Sequence, residues 1–121
     1  MKELTIFIFT RHLSAVTEIL RKHNIAGMSF SEIHATGHTK KKEVPEMVWV
    51  YQTGKLVTPD TEKRTKVETL VPDSVVETIV QELVKSIGSE SDPGGLVFVT
   101  DVTNAHLLGT SRSGESLLTK Q

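Results

Sequence analysis

The chain has 121 residues, 37% of them apolar and 24% charged, which predicts one soluble domain spanning residues 1–121 with a core of its own. Its net charge of −1 excludes the broad positive surface typical of nucleic-acid binding, and no run of about 18 apolar residues could insert into a membrane. It has no cysteine and no signal-peptide core near its start, so we expect a cytoplasmic protein without disulfides, thiolate metal sites or cysteine nucleophiles.

The first quarter of the chain predicts a strand, a helix and a second strand. Residues 4–9, LTIFIF, form a short apolar run of strand-forming residues, typical of a buried central strand. Ser14 is a candidate N-cap for a helix whose apolar residues then recur every three or four positions. Residues 28–33 predict the second strand.

A long polar segment separates this strand from the third strand, which is predicted at residues 66–71. Loops of this length in a small domain are usually functional or disordered. Within the segment, residues 47–51 and 55–57 flank a Thr-Gly pair and predict a small β-hairpin. Trp49 and Tyr51 would share one face of it. They either anchor the hairpin on the domain or contact a partner, because Trp and Tyr are enriched in interface hot spots.

The second half of the chain predicts a second helix and a fourth strand. Ser74 is followed three positions later by a glutamate, which is the spacing of a capping box at the start of a helix. Apolar residues then recur at helical intervals. Residues 89–95 predict a flexible loop, and residues 96–99 predict a strand that is apolar on both faces. The remaining polar tail is interrupted by two Leu-Leu pairs.

The predicted order of elements is β-α-β-loop-β-α-β. This order indicates an α+β, ferredoxin-like βαββαβ fold, with a four-stranded antiparallel sheet, two helices on one face and the long loop between strands 2 and 3. The second face of such a sheet needs a cover. Stacking of sheets in a homo-oligomer is the simplest one.

Titratable residues near the long loop allow further hypotheses. His34 and His38 flank its entrance, and in a trimer three copies could converge on a metal, although ordinary surface histidines are the commoner case. Lys40-Lys41-Lys42 is best explained as a solvated loop face. The sequence has no GxSxG, P-loop, HExxH or paired-carboxylate pattern, so we predict no catalytic residue, no metal ligand and no enzyme.

Five segments carry motifs that occur together in one known family. Residues 25–33 are similar to its strand GxxGMTVTEV, residues 36–38 occupy the position of its GFGR turn, and residues 66–73 are similar to KIEIVVPD. Residues 98–102 and 112–115 are similar to IFVFDV and RTGE. In this order the segments resemble the nitrogen-regulatory PII signal-transducer family.

The resemblance implies a homotrimer that binds a small effector, an adenine nucleotide (ADP, AMP or ATP), in clefts between subunits, with no other cofactor. It also implies a protruding T-loop at about residues 37–65 that docks on a target transporter or enzyme of nitrogen metabolism. A B-loop at about 88–95 and a C-terminal loop at about 103–121 would complete the clefts. The implied ligand-binding residues are Gly27, Met28, Ser29, Thr36, Gly37, His38, Thr39, Lys66, Glu68, Leu70, Gly94, Gly95 and Arg112.

Several residues differ from the family pattern, and these differences limit which ligands the chain is expected to bind. The two lysines of the family's B-loop, TGKIGDGK, are replaced here by Ser91 and Leu96, and Glu90 and Asp92 would repel a phosphate. The glutamine that the family uses for magnesium and 2-oxoglutarate is replaced by Thr39. We therefore expect ADP, AMP or another small anion rather than ATP bound with 2-oxoglutarate. The alternatives are an interaction module that has lost nucleotide binding and binds another small anion or only a protein partner, and a metal-binding ferredoxin-like protein.

Overall fold

The computed structural model describes residues 1–36, 48–50, 55–57 and 62–120. Six strands, two α-helices and two 3-10 helices occur in these ranges. In chain order they are β1 (Lys2–Ile8), a 3-10 helix (Thr10–His12), α1 (Leu13–Lys22), β2 (Ser29–Ala35), β3 (Val48–Val50), β4 (Lys55–Val57), β5 (Glu62–Val71), α2 (Asp73–Ser86), β6 (Gly95–Asp101) and a 3-10 helix (Glu115–Leu118).

Four strands form one antiparallel sheet in the order β2-β5-β1-β6. Leu4 of β1 lies opposite Thr69 of β5 and Val99 of β6, so the first strand is central, as its apolar sequence predicts. Together with α1 and α2 this confirms the ferredoxin-like α+β fold. A second, two-stranded sheet pairs β3 with β4, which confirms the hairpin predicted inside the long loop.

The core lies between one face of the sheet and both helices. Alternate residues of β1 point into it, because side chains of a strand alternate between its two faces. The core contains Leu4, Ile6, Ile8, Val16, Ile19, Leu20, Ile25, Val67, Val71, Ile79 and Leu83. Full burial of each large apolar side chain contributes about 1.5–3 kcal/mol, so this layer is the main source of stability. Among the described helices, none is long and apolar enough to cross a membrane.

The opposite face of the sheet presents aromatic side chains to solvent. Phe7 and Phe98 pack edge to face with their ring centroids 5.7 Å apart. Phe98 is nevertheless 52% exposed, and the neighbouring Leu96 is also exposed. The face opposite the helices is therefore partly apolar and uncovered in the single chain, as expected for the strand predicted to be apolar on both faces.

The third strand of the main sheet, β5, is longer than its hydrophobic pattern predicts. It begins at Glu62 rather than at residue 66, because β2 pairs along its whole length with β5, with Ala35 opposite Glu62. Backbone pairing thus extends the strand into the polar residues 62–65 that the sequence pattern assigns to the loop. The second strand is correspondingly displaced and runs over Ser29–Ala35.

The two predicted side-chain caps are wrong. A 3-10 helix leads directly into α1, so Ser14 lies inside the helix instead of at its N-cap. The N-cap of α2 is Pro72, without a side-chain cap hydrogen bond, so Ser74 also lies inside the helix. A residue from the far end of the chain serves this helix instead, because the backbone N–H of Asp73 donates to Glu115 Oε1 at 3.2 Å.

The segment between α2 and β6, predicted as a flexible loop, contains a hydrogen-bonded turn. The backbone N–H of Ser89 donates to Asp92 O at 3.0 Å, and the N–H of Asp92 donates to Ser89 O at 3.2 Å. Gly88 and Pro93 form a bridge at the base of the turn. These bonds define the backbone of the predicted B-loop.

Candidate functional site

A cleft of about 350 Å³ opens where the chain enters β2. It lies beside β5, which reaches it from a distant part of the sequence. Its walls are formed by Glu3, Ala26, Gly27, Met28, Ser29, Glu68, Thr69, Leu70, Leu117 and Leu118. Five of the residues that the family resemblance implies for ligand binding line this cleft together, namely Gly27, Met28, Ser29, Glu68 and Leu70.

Strand β5 fixes the shape of this cleft. Ser29 lies opposite Glu68 in the sheet, which sets the register between the two walls. One residue along, the buried Thr69 donates its hydroxyl to Gly27 O at 2.6 Å. This bond holds the backbone that precedes β2 against the sheet.

We expect Thr69→Val to lower the free energy of unfolding by about 1 kcal/mol, because the partly buried hydrogen bond that holds Gly27 O against β5 would be lost. Urea unfolding followed by circular dichroism measures the change. Thr78→Val on the exposed side of α2 is the matched control, with an expected effect within about 0.5 kcal/mol. Equal effects at the two positions would contradict a positioning role for Thr69.

One wall of the cleft comes from the end of the chain, which the sequence pattern does not assign to any site. The backbone N–H of Ala26 donates to Leu118 O at 2.8 Å, and the N–H of Lys120 donates to Asn24 O at 2.9 Å. Leu118 is buried, and Leu117 faces the cleft. The only sequence signal for this wall is the Leu-Leu pair in an otherwise polar tail.

The charges at the cleft are mainly negative. Glu3 and Glu68 are its ionisable lining residues, and neither Lys nor Arg occurs among the described residues that line it. The ammonium of Lys66 lies beside one of these carboxylates, with Nζ 3.1 Å from Glu68 Oε1. The cleft thus offers carboxylate acceptors, backbone groups and apolar walls. This set suits a flat ring that donates hydrogen bonds better than it suits an anion.

Two further predicted residues lie elsewhere, in an apolar cavity of about 340 Å³ between α2 and β6. Gly94 and Gly95 belong to its lining, and both are required by close packing. A Cβ on Gly94 would lie 2.6 Å from Ile87 Cγ2, and one on Gly95 would lie 1.8 Å from Phe7 O. Packing of the strand therefore explains these glycines without a ligand.

The remaining predicted residues are more dispersed. Thr36 is exposed just beyond the end of β2, and Arg112 is exposed in the C-terminal tail. Trp49 lies in β3, where it pairs with Leu56. Gly37, His38, Thr39 and Tyr51 lie outside the described residues, so their predicted roles stay predictions.

A buried polar cluster, not foreseen from the sequence, lies at the start of β5. The guanidinium of Arg64 stacks on Phe9, with Cζ 3.7 Å from the ring centroid, and its Nη2 lies 2.6 Å from Glu62 Oε2. Arg11 lies over the same ring at 4.4 Å. Burial, followed by the charge of Arg11, lowers the pKa of His12, whose ring contacts Phe9. This cluster joins the start of β5 to the segment that follows β1.

The structure gives no support to a metal site in the part of the chain that it describes. No group of three or more His, Asp or Glu side chains in residues 1–36 and 62–120 is arranged to hold a metal ion. His34 is exposed on β2, and its proposed companion His38 lies outside the described residues.

Comparisons with known proteins place these features in a family context. A family model described as nitrogen regulatory protein P-II matches residues 1–112. A curated protein from Rhodobacter capsulatus with the same description is 26% identical over 115 residues, which cover 95% of this chain and 97% of the relative. The family match contains β1 to β6 and most of the cleft, but it ends before the Leu117-Leu118 wall.

Proposed function

The chain belongs to the nitrogen regulatory protein P-II family of signal-transduction regulators, and from this premise we propose that it binds an adenine nucleotide and controls a target protein in the cytoplasm. In this proposal the nucleotide occupies clefts between the subunits of a homotrimer. The T-loop, the segment between β2 and β5, contacts the target, a transporter or an enzyme. The protein acts by binding rather than by catalysis.

The cleft beside β2 is the observation that carries this proposal. Met28 and Leu70 supply apolar walls, and the carboxylate of Glu68 can accept a hydrogen bond from an exocyclic amino group such as that of adenine. The backbone of Gly27 is accessible, because a Cβ at this position would meet nothing within 4 Å. A base can therefore approach the main chain closely.

The negative charges of the same cleft favour a nucleotide with few phosphate groups. Each phosphate group brought near Glu3 or Glu68 is repelled, and Lys66 is already paired with Glu68 at 3.1 Å. Hydrogen bonds from cationic side chains to phosphate groups contribute about 1.5–3 kcal/mol each. A nucleotide whose phosphates lack these bonds therefore binds orders of magnitude more weakly than one whose phosphates form them. We therefore propose AMP or ADP rather than ATP as the ligand.

The trimer and the T-loop interaction rest on two further observations. Phe98 is exposed on the uncovered sheet face, and burial of this face between copies would stabilise an oligomer. Within the T-loop, β3 and β4 form a two-stranded sheet of their own, separate from the main sheet. A separate hairpin is a suitable element for docking on a partner.

Titration calorimetry of the full chain against AMP, ADP, ATP and cyclic AMP tests this proposal. We expect Glu68→Ala to weaken binding of the preferred nucleotide by about tenfold or more, because one charged hydrogen bond is lost. Gly27→Leu places a bulky side chain at the cleft from a position where the Cβ meets nothing within 4 Å, so binding should be abolished while the melting temperature of the free protein changes little. Glu77→Ala on the exposed side of α2 is the matched control.

The result that contradicts nucleotide binding is the absence of heat and of thermal stabilisation with all four compounds. At a ligand concentration of 100 times Kd, stabilisation should reach about 2.7 kcal/mol, so even weak binding is measurable by thermal shift. A negative result with an intact oligomer would favour the alternative of an interaction module that binds only a protein partner.

A further inference from the structure

The 3-10 helix Glu115–Leu118 borders the cleft to which we assign the nucleotide. The family match ends at residue 112, so the matched region does not include this helix. Leu117 is half-buried and lines the cleft, whereas its neighbour Leu118 is only 6% exposed. One leucine is thus anchored in the protein, and the adjacent one is presented to the cleft.

This helix is held at both of its ends. At its start, Glu115 Oε1 accepts a hydrogen bond from the backbone N–H of Asp73 at 3.2 Å. At its end, Leu118 O accepts one from the N–H of Ala26 at 2.8 Å. A wall that is fixed before a ligand arrives loses little conformational entropy on binding, so the helix is suited to direct contact with the ligand.

Asn24 fastens the segment that follows the helix. It lies directly after the C-cap of α1, with a φ of +60°, in the left-handed region that asparagine adopts more readily than most residues. Its Nδ2 donates to Lys120 O at 2.6 Å, and its backbone O accepts from Lys120 N–H at 2.9 Å. These two hydrogen bonds, called the clasp below, hold the end of the segment that carries Leu117.

The polar side chains of the cleft do not by themselves distinguish adenine from cytosine. Both bases carry an exocyclic amino group, and the carboxylates of Glu3 and Glu68 can accept a hydrogen bond from either. The bases differ in apolar area, because a purine has two fused rings and a pyrimidine has one. Apolar walls select for buried area, and Leu117 adds to those formed by Met28 and Leu70.

We propose that Leu117 contacts the face of the bound base and sets a preference for purine over pyrimidine nucleotides, and that Asn24 positions it through the clasp. This inference rests on the proposed nucleotide function and adds to it the residue that determines the class of base. Leu117 touches the ligand, whereas Asn24 is a positioning residue that acts through the segment it holds.

Titration calorimetry of the full chain with AMP and with CMP tests the role of Leu117. We expect Leu117→Ala to weaken AMP binding about five- to tenfold but CMP binding only about twofold or less, because a single ring has less area in contact with the leucine. Leu117→Met keeps an apolar contact and should bind AMP within about twofold of the wild-type chain. Ser116→Ala, at an exposed residue of the same helix, is the matched control.

The outcomes separate this inference from the function on which it rests. A wild-type chain that binds no adenine nucleotide overturns the nucleotide proposal, and this one with it. Wild-type binding of AMP with unchanged affinity in Leu117→Ala overturns this inference alone. Equal weakening of AMP and CMP also overturns it alone, because a variant that merely disturbs the cleft affects both ligands.

A double-mutant cycle tests the role of Asn24. Asn24→Gly retains the left-handed backbone and removes the side-chain donor, so we expect AMP binding to weaken about two- to fivefold in a folded chain. In a chain that already carries Leu117→Ala, the same substitution should have no further effect, because Asn24 acts through Leu117. Hydrogen exchange of the Lys120 amide should become faster in Asn24→Gly and slower when AMP is added. Additive losses of affinity, or unchanged exchange at Lys120, would overturn the positioning role.

Discussion

Gly95→Ala is expected to lower the free energy of unfolding by about 3–5 kcal/mol, since overpacking and backbone strain each cost about 1–3 kcal/mol. The added Cβ would lie 1.8 Å from Phe7 O, where the edge strand β6 pairs with the central strand β1. The backbone of Gly95 also has a φ of +146°, where an L side chain is strained. Typical domains have a total stability of about 5–15 kcal/mol, so this one methyl group could unfold much of the population.

Chemical denaturation of matched glycine variants separates the two causes. Gly109 has a φ of +84° but open space around its Cβ position, so Gly109→Ala should cost only the conformational strain, about 1–2 kcal/mol. Gly27→Ala has neither a clash nor a positive φ and should be nearly neutral. Equal losses for Gly95→Ala and Gly109→Ala would show that the approach of Phe7 O is unimportant.

Arg64→Ala is expected to cost about 3 kcal/mol, because removal of one member of a buried ion pair leaves the other charge uncompensated. Arg64 is almost fully buried between Phe9 and Glu62, with Nη2 2.6 Å from Glu62 Oε2. Glu62 Oε1 and Arg64 Nη1 are already buried without hydrogen-bond partners. Loss of the guanidinium therefore removes the stacking on Phe9 and leaves the Glu62 carboxylate without its cation.

A double-mutant cycle on thermal unfolding measures this coupling. Glu62→Gln removes the charge, and we expect Arg64→Met in the same chain to recover at least half of the loss seen in Arg64→Ala, because an apolar side chain of similar length still packs on Phe9. A cost below about 1 kcal/mol for Arg64→Ala would contradict the buried pair and place it among ordinary surface pairs.

The sequence pattern predicts those parts of the fold in which periodicity and burial coincide. Leu4, Ile6 and Ile8 alternate into the core, and the spacing of Ile79 and Leu83 marks the buried side of α2. Periodicity does not predict the start of β5, because residues 62–65 are polar and their strand conformation depends on pairing with β2. The prediction of the N-cap of α2 fails for a related reason, since a backbone N–H at the start of this helix donates to the distant carboxylate of Glu115.

The residues of the candidate site likewise fall into two groups, those that the sequence predicts and those that only the structure shows. Gly27, Glu68 and Leu70 are accessible to sequence reasoning, because they lie in motifs shared with a known family. Leu118 is not, since backbone bonds to a segment far away in the sequence, such as the bond with Ala26, bring it into the cleft wall. The Arg64 cluster is equally non-local, because nothing in an isolated EKRT segment indicates that its arginine stacks on Phe9.

The C-terminal wall of the cleft has a consequence for the order of events during folding. Ala26 and Leu118, which meet at the cleft, are separated by about three quarters of the chain. Contacts of such large separation form late, after their loop-closure entropy has been overcome. A folding chain can therefore pair its four main strands before this wall closes, so that closure of the cleft is a late step of folding.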